Sequence, residues 1–199
     1  FELGTVTKNG SFSLSLPNPP ISSSKMKSYF LLVCLTILNV VHIHSQGSNL
    51  SFENNNCSNT VCGYAAVDSS IPGWVVSDGE VDLVQGSIFN ASDGSWSVDM
   101  NGSDYGELSQ TITTTVGSRY NVTFYLAGNP TCDLGSKTLE VWATGSSSNF
   151  YVFDTTGRTI TSMGWTQNWY SFVATSASTT VKFTSWSYGP CGPALDAMA

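Results

Sequence analysis

The sequence predicts an all-β protein, an antiparallel β-sandwich of jelly-roll type, from three observations. First, hydrophobic and polar residues alternate in three successive runs between Gly94 and Pro130. Trp96, Val98 and Met100 alternate with Ser97, Asp99 and Asn101; Leu108 and Ile112 alternate with Glu107, Ser109, Thr111 and Thr113. Tyr120, Val122, Phe124 and Leu126 alternate with Asn121, Thr123, Tyr125 and Ala127. Strand side chains point to opposite faces in turn, so each run reads as a strand with one buried and one wet face. Second, Asn101-Gly102 and Gly117-Ser118 fall between the runs, where turns need residues that tolerate positive φ. The three strands are therefore expected to form an antiparallel meander. Third, no stretch keeps an apolar period of 3.6 residues over three turns, while about ten short strands follow at regular spacing.

In chain order, Met26 to Gln46 (MKSYFLLVCLTILNVVHIHSQ) comes first as an N-terminal signal helix. Lys27 precedes an apolar core from Tyr29 to Val41, and small residues follow at Ser45 and Gly47, which is the pattern of a cleaved secretory signal. The core is short for a membrane span. Residues 1–25 lie upstream of it and read as a leader without function, leaving 47–199 as a single domain that starts near Gln46 to Ser48 after processing. Asn49 to Glu53 (NLSFE) reads as a first strand, and Asn54 to Ser70 as a polar loop. The turn Ile71-Pro72-Gly73-Trp74 then delivers a large aromatic onto the sandwich. Glu80 to Val84 alternates as the next strand, and the three central runs follow. Thr138 to Ala143 puts Leu139 and Val141 on one face and Glu140 and Trp142 on the other. Asn149 to Asp154 is a short aromatic strand. Trp169 to Ala174 and Thr179 to Trp186 read as a late hairpin, with Phe172, Val181 and Phe183 inward. Tyr188 to Met198 ends on an edge or closing strand.

Composition narrows the function. Beyond residue 46 the chain carries thirteen acids, four bases and no histidine, a net charge of about −9. That disfavours nucleic acid and anionic lipid as partners. Cys57, Cys62, Cys132 and Cys191 suggest two disulfides out of three possible connectivities in a secreted chain. Proximity favours Cys57–Cys62, leaving Cys132–Cys191. Glycosylation sequons start at Asn49, Asn56, Asn90, Asn101 and Asn121.

The ordered strings NLSFE, IPGW, VDLV, SVDMNG, GELSQTI, YNVTFYLAGNP, LEVWA and CGPALD, spread over Asn49 to Asp196, resemble the choice-of-anchor C domain. They are also similar to the plant cell-wall proteins of domain-of-unknown-function family 642. The resemblance implies a galactose-binding-domain-like sandwich associated with cell walls or surface polysaccharide, and it supports the Cys132–Cys191 pairing. It further implies a structural Ca²⁺ where the first and last strands meet, with Glu53 and Asp196 in the ligand places; hard oxygen ligands suit that ion. The plain alternative for Glu53 is a surface carboxylate. The related pattern continues D-[DN]-V-x-[VIL], whereas Asp196 is followed here by Ala197-Met198-Ala199.

Three functions are open to such a chain. A non-catalytic module binding extracellular polysaccharide is the leading expectation. A surface or matrix protein that contacts other proteins is the second, and a glycoside hydrolase working with two carboxylates is the third. The acids sit on polar strand faces or in turns, where solvation explains them, and the commonest general base is missing, so no catalytic residue is expected. Aromatic faces stack on sugar rings, and Trp142 and Trp186 fall on the polar sides of their strands, with Trp165 in a loop. These three are the candidate ligand residues, although Trp142 could equally pack beneath a loop. Trp74 and Trp96 read as core.

Overall fold

A computed structural model describes residues 40–42, 47–132 and 134–199. Most of the expected signal helix, with the leader, lies outside those residues. The described strands are β1 (Val40–His42), β2 (Val61–Ala65), β3 (Val75–Gln85), β4 (Trp96–Asp99), β5 (Gly106–Thr113) and β6 (Arg119–Gly128). After them come β7 (Ser136–Ala143), β8 (Asn149–Asp154), β9 (Thr166–Val173), β10 (Ser178–Ser185) and β11 (Pro193–Asp196). All pairings are antiparallel except that of β1 with β6. No helix among the described residues is long and apolar enough to cross a membrane.

Strand β3 joins two layers. Its first half pairs with β5 in the order β3-β5-β10-β7-β8, and its second half pairs with β2 and β4, the latter leading through β11 to β6 and β9. A register shift between Val76 and Asp78 and a positive φ at Gly79 mark the crossing. A Cβ at Gly79 would collide with the Tyr105 carbonyl, so only glycine lets the two strands approach here. Aromatic residues fill the space between the layers. Phe124 of β6 meets Phe183 of β10 edge-on at 5.6 Å, and Trp74 lies 5.6 Å from Phe52 and 6.1 Å from Phe183. Such contacts add to the apolar area withdrawn from water, the main force closing a sandwich.

The strands of the central region exist as expected, but they do not form a meander. β4 pairs with β3 and β11, β5 with β3 and β10, and β6 with β1, β9 and β11. Nor are β9 and β10 a hairpin, since they belong to different layers. Alternation fixes which face of a strand is wet and is silent about its neighbour. Asn49 to Glu53 forms a turn, with positive φ at Asn49 and Phe52, rather than a strand. β2 arises inside the stretch read as loop. β11 is interior and buried along its length, not an edge.

One further correction concerns β4. Ser97, Asp99 and Asn101 are buried, not wet, and the chain at Gly192 packs directly over Asp99 and Asn101. Asp99 accepts hydrogen bonds from the amides of Asn101 and Gly192 and from Asn129 Nδ2. Burial nevertheless pushes its carboxyl up to about 7.

Candidate functional site

The outer face of the β3-β5-β10-β7-β8 layer gathers most of the exposed aromatic residues that the alternation left unexplained. Register alone builds its central row: Asp78 lies opposite Glu107, Glu107 opposite Thr184, Thr184 opposite Glu140, and Glu140 opposite Phe150. Lys182 and Trp142 form the adjacent row. Lys182 Nζ sits 2.6 Å from Glu107 Oε1 and 5.2 Å from the Trp142 ring centre. Burial raises the Glu107 carboxyl, but hydrogen bonds from Lys182, Ser77 and Thr184 outweigh it and hold the group below its ordinary range. Trp142 is thus a half-buried ring already covered by an ammonium group.

Trp186 is different. It is 59% exposed, and its indole Nε1 donates to Glu140 Oε2 at 2.8 Å while its ring meets Phe150 edge-on at 5.8 Å. An exposed ring fixed at both its polar and apolar edges is presented in one orientation. Beside it, Tyr105, Thr184, Trp186, Ser187 and Tyr188 line a cleft of about 320 Å³. Tyr188 is 92% exposed, yet its backbone is pinned. Asn101 Nδ2 donates to the carbonyls of both Ser187 and Gly189, and the Gly189 amide donates to Asp104 Oδ1. Ser187 Oγ accepts from the Thr138 amide. Tyr105 OH donates to Asp78 Oδ2 at 3.3 Å, and the negative charge of Asp78 raises the phenol's pKa.

The remaining expected site residues lie elsewhere. Trp165 is half-buried against the core, with Nε1 bonded to the Asn90 carbonyl, so the structure does not bring it to Trp142 and Trp186. Trp74 is core and Trp96 packs partly against it, while Trp169 is exposed on β9. Tyr105, Tyr188 and Phe150 escaped the sequence reading. Tyr188 stands in an irregular segment where alternation has no meaning, and Phe150 lies in a strand whose inner face is also aromatic.

Glu53 and Asp196 meet through one loop. Asp196 Oδ2 accepts the amides of Ser92 and Asp93, and Glu53 Oε1 accepts those of Ser95 and Trp96. Burial pushes Asp196 up to about 7 despite these donors. No group of three or more His, Cys, Asp or Glu side chains converges among the described residues. The oxygen donors of Glu53 and Asp196 suit a hard cation, although several already serve the loop's amides.

Disulfides join Cys57 to Cys62 and Cys132 to Cys191. Two sequons do not fit a glycan. Asn101 is fully buried with its amide nitrogen spent on two carbonyls, and Asn49 Nδ2 donates to the carbonyls of Asn54 and Pro72. The alternation placed Asn101 on a wet face that the fold covers. Asn56 and Asn90 are exposed, and Asn121 is half-buried.

Comparison with known proteins places this architecture. Residues 47–199 match a family model described as protein of unknown function (DUF642). Halomucin of Haloquadratum walsbyi is 33% identical over 160 residues, covering 76% of this chain; the chain spans only 2% of halomucin's length. Among solved structures, the arabinose-bound α-L-arabinofuranosidase MgGH51 aligns at a TM-score of 0.51 with 14% identity. That alignment covers 77% of this chain and 25% of that one, and it shows a shared fold. The module TmCBM61 in complex with β-1,4-galactotriose aligns at 0.47 with 20% identity, over 76% of this chain and 93% of that one.

Proposed function

The chain belongs to the DUF642 family, and on that premise we propose that it is an extracellular, non-catalytic module that binds polysaccharide through the outer face of the β3-β5-β10-β7-β8 layer. One observation carries the reading: beside a cleft, Trp186 is an exposed ring held by Glu140 and Phe150, and Tyr188 is an exposed ring on a segment whose neighbouring backbone is hydrogen-bonded. Ordered aromatic surface loses little entropy on binding and offers a flat apolar face to a sugar ring. Carboxylates and hydroxyls around it supply the orienting hydrogen bonds. Trp142, covered by Lys182, is a secondary contact, and Trp165 lies outside the cleft. Two disulfides suit an oxidising, extracellular compartment. Glycans at Asn56, Asn90 and Asn121 belong to the same proposal.

Trp186→Ala is the direct test. Retention on an insoluble polysaccharide is expected to fall about tenfold or more, equivalent to roughly 1.4 kcal/mol. The melting temperature should barely move, because the ring is largely exposed. Unchanged retention places binding elsewhere, and reducing ends that accumulate with time would mark a hydrolase. A protein-contact function has its own support in β8, an edge strand with Phe150 and Val152 exposed. Retention of a protein partner by a Phe150→Ser/Val152→Ser variant would remove that support.

Ca²⁺ is carried as part of the proposal. Glu53 and Asp196 would hold it, and the ion would cross-link the loop at Ser92 to Trp96 to the turn at Glu53 and the end of β11. EDTA should then lower the melting temperature and Ca²⁺ restore it, since an ion bound to the native state alone stabilises by mass action. Glu53→Ala and Asp196→Ala should each abolish the response. Identical melting of the wild type in EDTA and Ca²⁺ would show that these carboxylates serve the loop's amides only.

A further inference from the structure

We propose that the cleft at Trp186 selects a neutral glycan chain and turns polyuronates away. The inference rests on the glycan-binding reading above and deepens it. Asp78, Glu107 and Glu140 stand in one register row across β3, β5 and β7, with Asp104 at the cleft's rim. One ammonium, Lys182, stands among them, and its charge is spent on Glu107 at 2.6 Å. Strands lie about 4.8 Å apart, so these carboxylates fall within one to three strand spacings of each other and of anything lying on the row. That is comparable to the distance of about 8–10 Å over which salt screens charge at physiological strength.

Two consequences follow for a ligand. An ionised carboxylate only accepts hydrogen bonds. Glu140 Oε2 holds the Trp186 indole, and Asp78 holds the Tyr105 hydroxyl through Oδ2. Asp78 Oδ1 also accepts the Gly79 amide, and with Asp78 exposed and Glu140 half-buried each carboxylate keeps acceptor sites beside its ring. Sugar hydroxyls are the donors that such oxygens take, through short charge-assisted bonds. A uronate carboxylate has no donor to offer and meets like charge along the whole row. The acidic row therefore serves the neutral chain twice, by accepting its hydroxyls and by repelling its anionic competitor. The chain's excess of acids over bases acts in the same direction.

The experiment compares binding of soluble β-galactan and polygalacturonate, matched in length, by affinity electrophoresis and calorimetry at 20 and 300 mM NaCl. The wild type should bind the galactan with little dependence on salt and the polyuronate at least tenfold more weakly at 20 mM. Added salt should narrow that gap. The variant Asp78→Asn/Glu140→Gln removes two charges and keeps an oxygen that can accept the Trp186 indole. It should bind galactan severalfold more weakly and polygalacturonate severalfold more tightly, so the two effects have opposite signs. A wild type that binds polygalacturonate as tightly as galactan at 20 mM overturns the selectivity and leaves glycan binding standing. Loss of both ligands together in the variant also overturns it, because a merely disturbed cleft does that. If neither polymer is retained by the wild type or the variant, the glycan reading itself falls.

Discussion

Removing the Cys132–Cys191 bridge with Cys132→Ala/Cys191→Ala is expected to cost about 4 kcal/mol of stability. The bridge closes a loop with a sequence separation of 59 residues. On the chain-entropy model, a loop of that length restricts the unfolded state by roughly 4 kcal/mol. The loss is large because the bridge also anchors the chain where it matters. Cys191 is buried next to Gly192, whose amide donates to Asp99 and whose carbonyl accepts from Asn129. The same segment leads back to Gly189 and Tyr188 at the cleft. Urea unfolding is the measurement. At the urea dependence usual for a small domain, the midpoint should fall by about 2 M, and the slope should rise somewhat because the unfolded chain is no longer restricted. A drop worth less than about 1 kcal/mol would show that packing of β11 alone holds this end together. The equivalent change at Cys57–Cys62, which closes a loop of sequence separation 5, should cost much less.

With metal removed by EDTA, so that no cation competes with the proton on Asp196, stability should also fall as pH rises from 5 to 8. Asp99 and Asp196 are both raised from 3.8 to about 7 by burial. The folded protein therefore keeps two protons that the unfolded chain releases above about pH 4. For such groups stability is full below the unfolded pKa, declines as pH rises and levels off above about 7. Each pKa unit is worth about 1.4 kcal/mol, so the two groups together lose on the order of 5 kcal/mol between pH 5 and 8. That corresponds to a melting temperature lower at pH 8 by about ten degrees or more. Glu107 shifts the other way, but its contribution is complete once pH exceeds its ordinary range. Asp196→Asn should flatten the pH profile by about half, whatever it does to stability at one pH. A profile that is level or rises from pH 5 to 8 would mean that the amides around both carboxylates keep them ionised.

The sequence by itself determined most of the strands, β2 being the exception hidden in a polar stretch, and it determined their faces where one side of a strand meets water. Leu139 and Val141 point inward and Glu140 and Trp142 outward, as alternation requires, because burying one polar side chain without a partner costs more than an alternating pattern tolerates. It determined Trp74 as core, since a large ring after a turn has few other places to go. It also carried the family, through short strings that recur in order between Asn49 and Asp196.

Only the tertiary structure decided who neighbours whom. β4, β5 and β6 follow one another in the chain and pair with none of each other, because in a sandwich consecutive strands cross between layers and close with distant partners. Burial on both faces was equally hidden. Asp99, Asn101 and Asp196 look like solvated polar residues until Gly192 and the loop at Ser92 to Asp93 cover them. The cleft was half legible: Trp186 stood out as a ring on a polar face, whereas Tyr105 and Tyr188 come from an irregular turn and a pinned segment. Their position depends on hydrogen bonds made by Asn101 and Asp104 to residues more than eighty positions away. A local pattern records propensity and periodicity; it holds no record of contacts between segments so far apart in sequence, and those contacts aim the rings.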